Sequence, residues 1–172
     1  MKRIISFAAI FLILFSAVYA QPGKIKQLKL TDFELQSSSL VKAHGDEISS
    51  VNFKPDVYWF PVKVPSTVLT GLVANKVYPD PYSGLNNMLI PDASDKFNKK
   101  YKLKQYSYLP GDPNPWKKPY WYRTQFQVPA ADNGRHFQLI FKGINYRASV
   151  WINGKQLTDS TMMAGMFAEY SL

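Results

Sequence analysis

Three stretches near the C-terminal end alternate apolar and polar residues with period two. They are residues 121–128, 136–142 and 147–152. Successive side chains of a strand point to opposite faces, so the alternation predicts strands with one buried and one solvated face. Asn153-Gly154 follows the third stretch and favours a type I′ hairpin turn, because both turn positions need positive φ. The pattern predicts an all-β fold, an antiparallel β-sandwich.

Residues 64–87 predict one short helix followed by a stiff turn. Ser66 stands where a helix cap is favoured, and Asn75 stands where a left-handed residue can end the helix. Asp80 lies between two prolines that restrict the backbone around it. Such a carboxylate suits hydrogen bonds to sugar hydroxyls, although a solvated surface turn is the simpler alternative. The apolar face of the helix consists of Val68, Leu69, Leu72 and Val73.

Residues 76–119 predict a long irregular loop that is rich in Pro, Asn, Tyr and Lys. Loops of this length in compact domains tend to be functional or disordered, and the aromatic residues of this segment argue against full disorder because they can bury area. The lysine-rich part, residues 96–104, contributes to the net charge of +9. A basic run with aromatic residues can bind an anionic polymer, or it can be a solvated surface. Since no nucleic-acid-binding motif accompanies it, we expect no nucleic-acid partner.

The first twenty residues have the pattern of a secretory signal peptide. Lys2 and Arg3 precede an apolar run, and small residues lead to a cleavage site between Ala20 and Gln21. The run is short for a transmembrane anchor, which is the alternative interpretation. We therefore expect export to the periplasm or the medium, no stable membrane anchor after cleavage, and one domain over residues 21–172.

Composition limits the chemistry that this chain can perform alone. It has no cysteine, which excludes disulfides and thiolate metal sites, and its two histidines lack metal-ligand spacing. The 12 carboxylates show no obvious catalytic pair. We predict no catalytic residue, no metal and no cofactor. The large side chains Trp59, Trp121 and Trp151 are expected to pack, whereas Arg123 and Arg147 are expected on outward strand faces.

An ordered set of motifs runs through the sequence from residue 64 to residue 155. The motifs are Val64-Pro65-Ser66-Thr67, Tyr78-Pro79-Asp80-Pro81-Tyr82, Pro119-Tyr120-Trp121-Tyr122-Arg123, Phe141-Lys142-Gly143-Ile144-Asn145-Tyr146-Arg147-Ala148 and Val150-Trp151-Ile152-Asn153-Gly154-Lys155. In order and spacing this set resembles the N-terminal sugar-binding domain of glycoside hydrolase family 2. The second and third motifs are most similar to the branch of exo-β-glucosaminidases and β-mannosidases. One departure is Ser83, where the branch often has an aromatic residue.

This resemblance implies a jelly roll of the galactose-binding-domain-like type. In the family, an immunoglobulin-like domain and a TIM barrel follow it, and the barrel carries two catalytic glutamates. Such enzymes hydrolyse terminal β-linked sugars with retention, through a covalent glycosyl-enzyme. The sequence stops at Leu172, before either further domain, so we expect a C-terminally incomplete sandwich without the catalytic glutamates.

The resemblance also implies a role for the loop around Asp80. In the family this loop projects over the mouth of the barrel, so Asp80 is expected to contact the sugar, with Asn86 and Asn87 as weaker candidates. The sequence thus predicts the non-catalytic N-terminal domain of an exported glycosidase acting on a glucosamine- or mannose-like sugar. The alternative is a stand-alone or degenerate carbohydrate-binding module without hydrolase activity.

Overall fold

The computed structural model describes residues 25–101 and 114–172. The predicted signal peptide and its cleavage site, Ala20 and Gln21, lie outside these residues and remain predictions. In the described part of the chain, no helix is both long and apolar enough to cross a membrane.

The largest sheet has three antiparallel strands. β1 (Asp32–Ser37) lies in the centre, between β2 (Phe60–Lys63) and β3 (Tyr120–Arg123). Leu35 of β1 pairs with Phe60 on one side and with Tyr122 on the other. Because β1 carries hydrogen bonds on both edges, it holds together segments that are far apart in sequence.

Three α-helices, besides short 3₁₀ turns, are present among the described residues, so the prediction of one short helix is wrong. α2 (Val68–Ala74) is the predicted helix, whereas α1 (Gly45–Ile48) and α3 (Asp95–Tyr101) were not predicted. α3 lies inside the segment predicted to be irregular. It begins there because the Ser94 hydroxyl accepts a hydrogen bond from the Phe97 amide at 3.3 Å, as an N-cap does.

Four short strands form the C-terminal part. β4 (Ile140–Phe141) pairs with β7 (Tyr170–Ser171), and β5 (Val150–Ile152) pairs with β6 (Lys155–Thr158), both antiparallel. Asn153-Gly154 joins β5 to β6 with φ values of 49° and 84°, which are those of a type I′ turn. The predicted hairpin is therefore confirmed.

The alternating stretches are longer than the strands that form. β3 ends at Arg123, and residues 124–129 and 135–139 belong to no strand. Phe126, Val128 and Phe137, which share the predicted buried faces, are 42%, 40% and 62% exposed. The structure is mostly β with antiparallel sheets, as predicted, and the closed jelly roll stays a prediction.

Two apolar clusters lie on the three-stranded sheet. The larger one packs α2 against the sheet, and the smaller one surrounds Trp59. Trp121 packs against this smaller cluster and meets Trp151 edge-on at 5.4 Å between ring centroids, so the three tryptophans pack as expected. The buried residues of the larger cluster are Leu35, Val62, Leu72, Val77 and Tyr78.

Arg123 does not point outward as the sequence predicted. Its Nε donates to the Ile48 carbonyl at 2.9 Å, and its Nη1 lies 3.4 Å from a carboxylate oxygen of Glu34. The guanidinium also stacks over the ring of Phe53 at 5.3 Å. Period-two alternation predicted this side chain on the solvent face, but there it meets the end of α1 at Ile48, the ring of Phe53 and the carboxylate of Glu34 on β1.

Candidate functional site: the Asp80 loop

The loop that carries Asp80 is positioned by helix α2, which begins one residue later than predicted. The N-cap is Thr67, whose hydroxyl accepts a hydrogen bond from the Thr70 amide at 3.1 Å. Ser66 was the predicted cap, but its hydroxyl has no hydrogen-bond partner among the described residues. Both residue types favour caps, so only the backbone conformation distinguishes them.

The end of α2 turns the chain sharply into the loop. The Val77 amide donates to the Leu72 carbonyl at 2.9 Å and the Lys76 amide to the Val73 carbonyl at 2.9 Å, which is the Schellman pattern. Lys76 is the left-handed residue, with φ of 61°, so the prediction of Asn75 at this position is wrong. Asn75 is the C-cap, φ −91°, and its side-chain amide donates to backbone carbonyls instead.

Tyr78 anchors the beginning of the loop in the core. Its side chain is 2% exposed and packs with Leu72 in the larger cluster. Trp116 lies against the Tyr78 ring, with 6.0 Å between centroids. The loop therefore leaves the domain from a fixed point.

Asp80 is exposed, and its carboxylate organises the loop locally. One oxygen accepts the Tyr82 amide at 3.0 Å, and the other accepts the Ser83 hydroxyl at 3.2 Å. The Ser83 amide also donates to the Asp80 carbonyl at 3.2 Å. This is the Asx-turn geometry of the simpler alternative, and Ser83 contributes a hydrogen bond where an aromatic residue was expected.

Asp80 nevertheless keeps capacity to bind a ligand. An ionised carboxylate has about four acceptor positions, and the loop occupies two of them. The remaining positions can accept sugar hydroxyls. Asp80 is the only carboxylate in residues 76–91, so this loop offers no pair of carboxylates for glycoside hydrolysis.

Asn86 and Asn87 follow in the same loop. They open a single 3₁₀ turn, Asn86–Leu89, whose start is held by the Asn86 amide donating to the Ser83 carbonyl at 3.1 Å. Asn86 is half-buried and Asn87 is exposed. Neither side-chain amide has a hydrogen-bond partner among the described residues, so both can donate to a ligand.

Tyr82 is a candidate that the sequence reasoning did not select. It is 95% exposed, two residues after Asp80, whereas Tyr78 on the other side of Asp80 is buried. Exposed aromatic rings provide flat apolar faces for ligands. The two tyrosines flank Asp80 symmetrically in the sequence, so no local signal indicates which one is buried.

The described residues contain no group of three or more His, Cys, Asp or Glu side chains that could hold a metal ion. The loop carries one carboxylate, two side-chain amides and one exposed ring within residues 80–87. Such groups bind and orient a polar ligand through hydrogen bonds and ring contact.

Known proteins support the family resemblance. Residues 113–172 match the family model described as the glycosyl hydrolase 2 galactose-binding domain-like domain. The predicted relationship to the N-terminal galactose-binding-like domain of glycoside hydrolase family 2 is therefore confirmed.

The relatives come from the predicted branch. The chain is 30% identical over 143 residues to the exo-β-D-glucosaminidase of Streptomyces avermitilis. It is 32% identical over 114 residues to the mannosylglycoprotein endo-β-mannosidase of Lilium longiflorum. Among solved structures, the exo-chitosanase CsxA of Amycolatopsis orientalis is similar, with a TM-score of 0.63 and 26% identity.

These similarities concern a small part of each relative. The match to the Streptomyces enzyme covers 83% of this chain but 13% of that protein. The lily enzyme is matched over 66% of this chain and 10% of its own length. The match to CsxA covers 83% of this chain and 14% of that chain.

Proposed function

We propose that this chain is the N-terminal, non-catalytic domain of an exported glycosidase that removes terminal β-linked sugars of the glucosamine or mannose type. The observation that carries the proposal is the 30% identity to an exo-β-D-glucosaminidase over 83% of this chain. The match to the family model over residues 113–172 supports the assignment to the N-terminal domain of such an enzyme.

In this proposal the Asp80 loop forms one edge of the sugar pocket. Asp80 accepts hydrogen bonds from sugar hydroxyls, and Asn86 and Asn87 donate to them. The loop supports this role because its own hydrogen bonds fix its conformation before the sugar arrives. Prior ordering reduces the entropy lost on binding.

The chemistry would be carried out by the two glutamates of a barrel. A retaining mechanism requires carboxyl groups about 5 to 5.5 Å apart, one as nucleophile and the other as acid and base. The domain described in this structure would orient the sugar relative to that pair.

The complete gene tests the proposal. The reading frame should continue after the Leu172 codon into an immunoglobulin-like domain and a barrel. The purified product should hydrolyse p-nitrophenyl β-D-glucosaminide or β-D-mannoside, and NMR of the first product should show the retained β-anomer. A reading frame that ends at Leu172 with no barrel would contradict the proposal.

A stand-alone carbohydrate-binding module is the second candidate, and the self-contained loop favours it. Both Asp80 oxygens have partners within the loop, so the loop needs no second domain to keep its shape. A glycan array with the full chain distinguishes the two candidates. Sugar binding that is lost in Asp80→Ala, together with a reading frame that ends at Leu172, would favour the module.

A further inference from the structure

The dipeptide Asn-Gly occurs twice in the sequence, and the two copies lie in different surroundings. Asn133-Gly134 lies in the turn after the 3₁₀ segment Ala130–Asp132, and Asn153-Gly154 forms the turn between β5 and β6. All four residues are exposed, and both glycines have positive φ, 79° and 84°. Neither asparagine side chain has a hydrogen-bond partner in the part of the chain that the structure describes.

An Asn-Gly dipeptide contains the groups needed for spontaneous deamidation. The backbone nitrogen of the glycine attacks Cγ of the preceding asparagine and forms a carbon–nitrogen bond, while the side-chain nitrogen leaves as ammonia. Water then opens the cyclic imide at one of its two carbonyls and yields aspartate or isoaspartate. Glycine favours this reaction because it has no side chain to hinder the approach. The only co-reactant is water.

The glycine nitrogen of the second copy is already engaged. The Gly154 amide donates to the Ser49 hydroxyl at 2.9 Å, and this hydroxyl donates in turn to the Asp46 carbonyl at 3.3 Å. The Asp46 carbonyl would also lie 3.5 Å from a Cβ at Gly154, so α1 covers this side of the turn. The pairing of Ile152 with Lys155 holds the turn at both ends. The nitrogen must leave these contacts before it can attack.

The glycine nitrogen of the first copy is free within the described residues. On one side of it, the Asn133 amide donates to the Ala130 carbonyl at 3.1 Å. On the other side, the Arg135 amide donates to the Asp132 carbonyl at 3.2 Å. The Gly134 amide between them has no such acceptor, and a Cβ at Gly134 would meet nothing within 4 Å. This nitrogen can therefore approach the asparagine side chain without breaking a hydrogen bond of its own.

We propose that Asn133 is a site of spontaneous deamidation, and that the Ser49 hydroxyl protects Asn153 from the same reaction. The two copies share the dipeptide, the exposure and the positive φ of the glycine. They differ in whether the attacking nitrogen is hydrogen-bonded. One hydrogen bond of ordinary strength lowers the population of the free nitrogen about fivefold.

Deamidation at Asn133 changes a turn that ion pairs hold. The carboxylate of the preceding Asp132 is buried and pairs with Lys26 at 2.8 Å and with Arg135 at 3.2 Å. The product places a second negative charge beside this carboxylate, and isoaspartate also lengthens the main chain by one methylene. The modified residue lies outside the Asp80 loop, so the modification is independent of the proposed sugar contact.

Peptide mapping by mass spectrometry tests the proposal on the full chain, kept in mildly alkaline buffer. Trypsin releases the two copies in separate peptides, residues 124–135 and 148–155. In the folded protein the first peptide should deamidate at least about fivefold faster than the second, from the one hydrogen bond. In guanidinium chloride, where both turns are unfolded, this difference should largely disappear. Equal rates at the two asparagines in the folded chain would overturn the proposal.

A serine variant tests the protection directly. Ser49→Ala should raise the rate at Asn153 about fivefold and leave the rate at Asn133 unchanged. Ser66→Ala is the matched control, because the Ser66 hydroxyl has no partner among the described residues, and it should change neither rate. Amide hydrogen exchange of the wild type, followed by NMR, should be faster for Gly134 than for Gly154. Slower exchange at Gly134, or an unchanged rate at Asn153 in Ser49→Ala, would overturn the proposal.

Discussion

At the scale of single residues, Arg123 joins three separate parts of the molecule. It contacts the backbone of α1, the ring of Phe53 and the carboxylate of Glu34. The planar guanidinium allows stacking and a directed hydrogen bond together, which a lysine ammonium cannot reproduce.

We therefore predict that Arg123→Lys lowers the free energy of unfolding by about 1 to 2 kcal/mol, from the lost hydrogen bond and stacking. Arg147→Lys is the matched control, because Arg147 is exposed and, within the described residues, its guanidinium stacks on the exposed Tyr146 alone. Arg147→Lys should lower the free energy of unfolding by less than about 0.5 kcal/mol. Urea denaturation of the three proteins measures the difference, and equal losses in both variants would contradict this description of Arg123.

Residue-level details were the hardest to predict from the sequence. The choice between Ser66 and Thr67 as cap, and between Asn75 and Lys76 as the left-handed residue, depends on where the backbone enters and leaves α2. Residue propensities favour Ser66 as the N-cap and Asn75 as the left-handed residue, but the position of α2 against the sheet determines which residues take these places. The local sequence also does not predict that Tyr82 is exposed, because the packing of Tyr78 in the core determines which of the two tyrosines is buried.

At the scale of elements, the cap of α2 gives a direct comparison of two adjacent hydroxyls. Thr67→Ala should lower the free energy of unfolding by about 1 kcal/mol, because the Thr70 amide loses its acceptor. Ser66→Ala should be close to neutral, since the Ser66 hydroxyl has no partner in the described part of the chain. Thermal unfolding of both variants measures this, and a larger loss for Ser66→Ala would show that the cap is assigned to the wrong residue.

The packing of α1 on the hairpin depends on a glycine. A Cβ at Gly45 would lie 2.4 Å from ring atoms of Trp151, closer than real contacts allow. Gly45→Ala should therefore destabilise the protein by about 1 to 3 kcal/mol, as overpacking does. Gly143→Ala is the control, because a Cβ there meets nothing within 4 Å. Equal melting temperatures of the two variants would mean that α1 does not pack closely on Trp151.

Elements with strong local signals were predicted, and those that depend on distant contacts were not. The β5–β6 hairpin and α2 follow from the Asn-Gly pair and the apolar spacing. α1 has four residues and no cap hydrogen bond from a side chain, so its formation depends on packing against the hairpin. The strand predicted over residues 121–128 stops at Arg123 although β1 continues for two more residues, to Asp32; beyond Arg123 the Thr124 hydroxyl donates to the Asp32 carbonyl at 2.7 Å.

At the scale of the whole molecule, several ion pairs and hydrogen bonds make stability depend on pH. Hydrogen bonds from Lys63, Lys117 and Lys26 and from the Thr161 hydroxyl are the main causes that lower the pKa of four aspartates. A folded-state pKa below the ordinary aspartate value of about 3.8 stabilises the fold at pH values above 3.8. This contribution is lost as the pH falls through the folded-state pKa. The aspartates are Asp32, Asp95, Asp132 and Asp159.

We therefore predict that the urea midpoint is nearly constant from pH 7 to 5 and falls on acidification below about pH 4. Lys26→Met should reduce this fall, because Lys26 is the main cause of the low pKa of Asp132. Lys42→Met is a control that removes an exposed lysine without a salt bridge among the described residues. A midpoint that rises on acidification would contradict the prediction.

The central claim is that this domain completes the sugar pocket of a longer glycosidase through Asp80. The most direct measurement is kcat/KM for p-nitrophenyl β-D-glucosaminide and β-D-mannoside, with the product of the complete gene and its Asp80→Ala variant. We predict that the wild type hydrolyses one of them and that the variant loses about 10- to 100-fold in kcat/KM, the effect of one charged hydrogen bond. No hydrolysis by the wild type, or an unchanged kcat/KM in a folded variant, would contradict the claim.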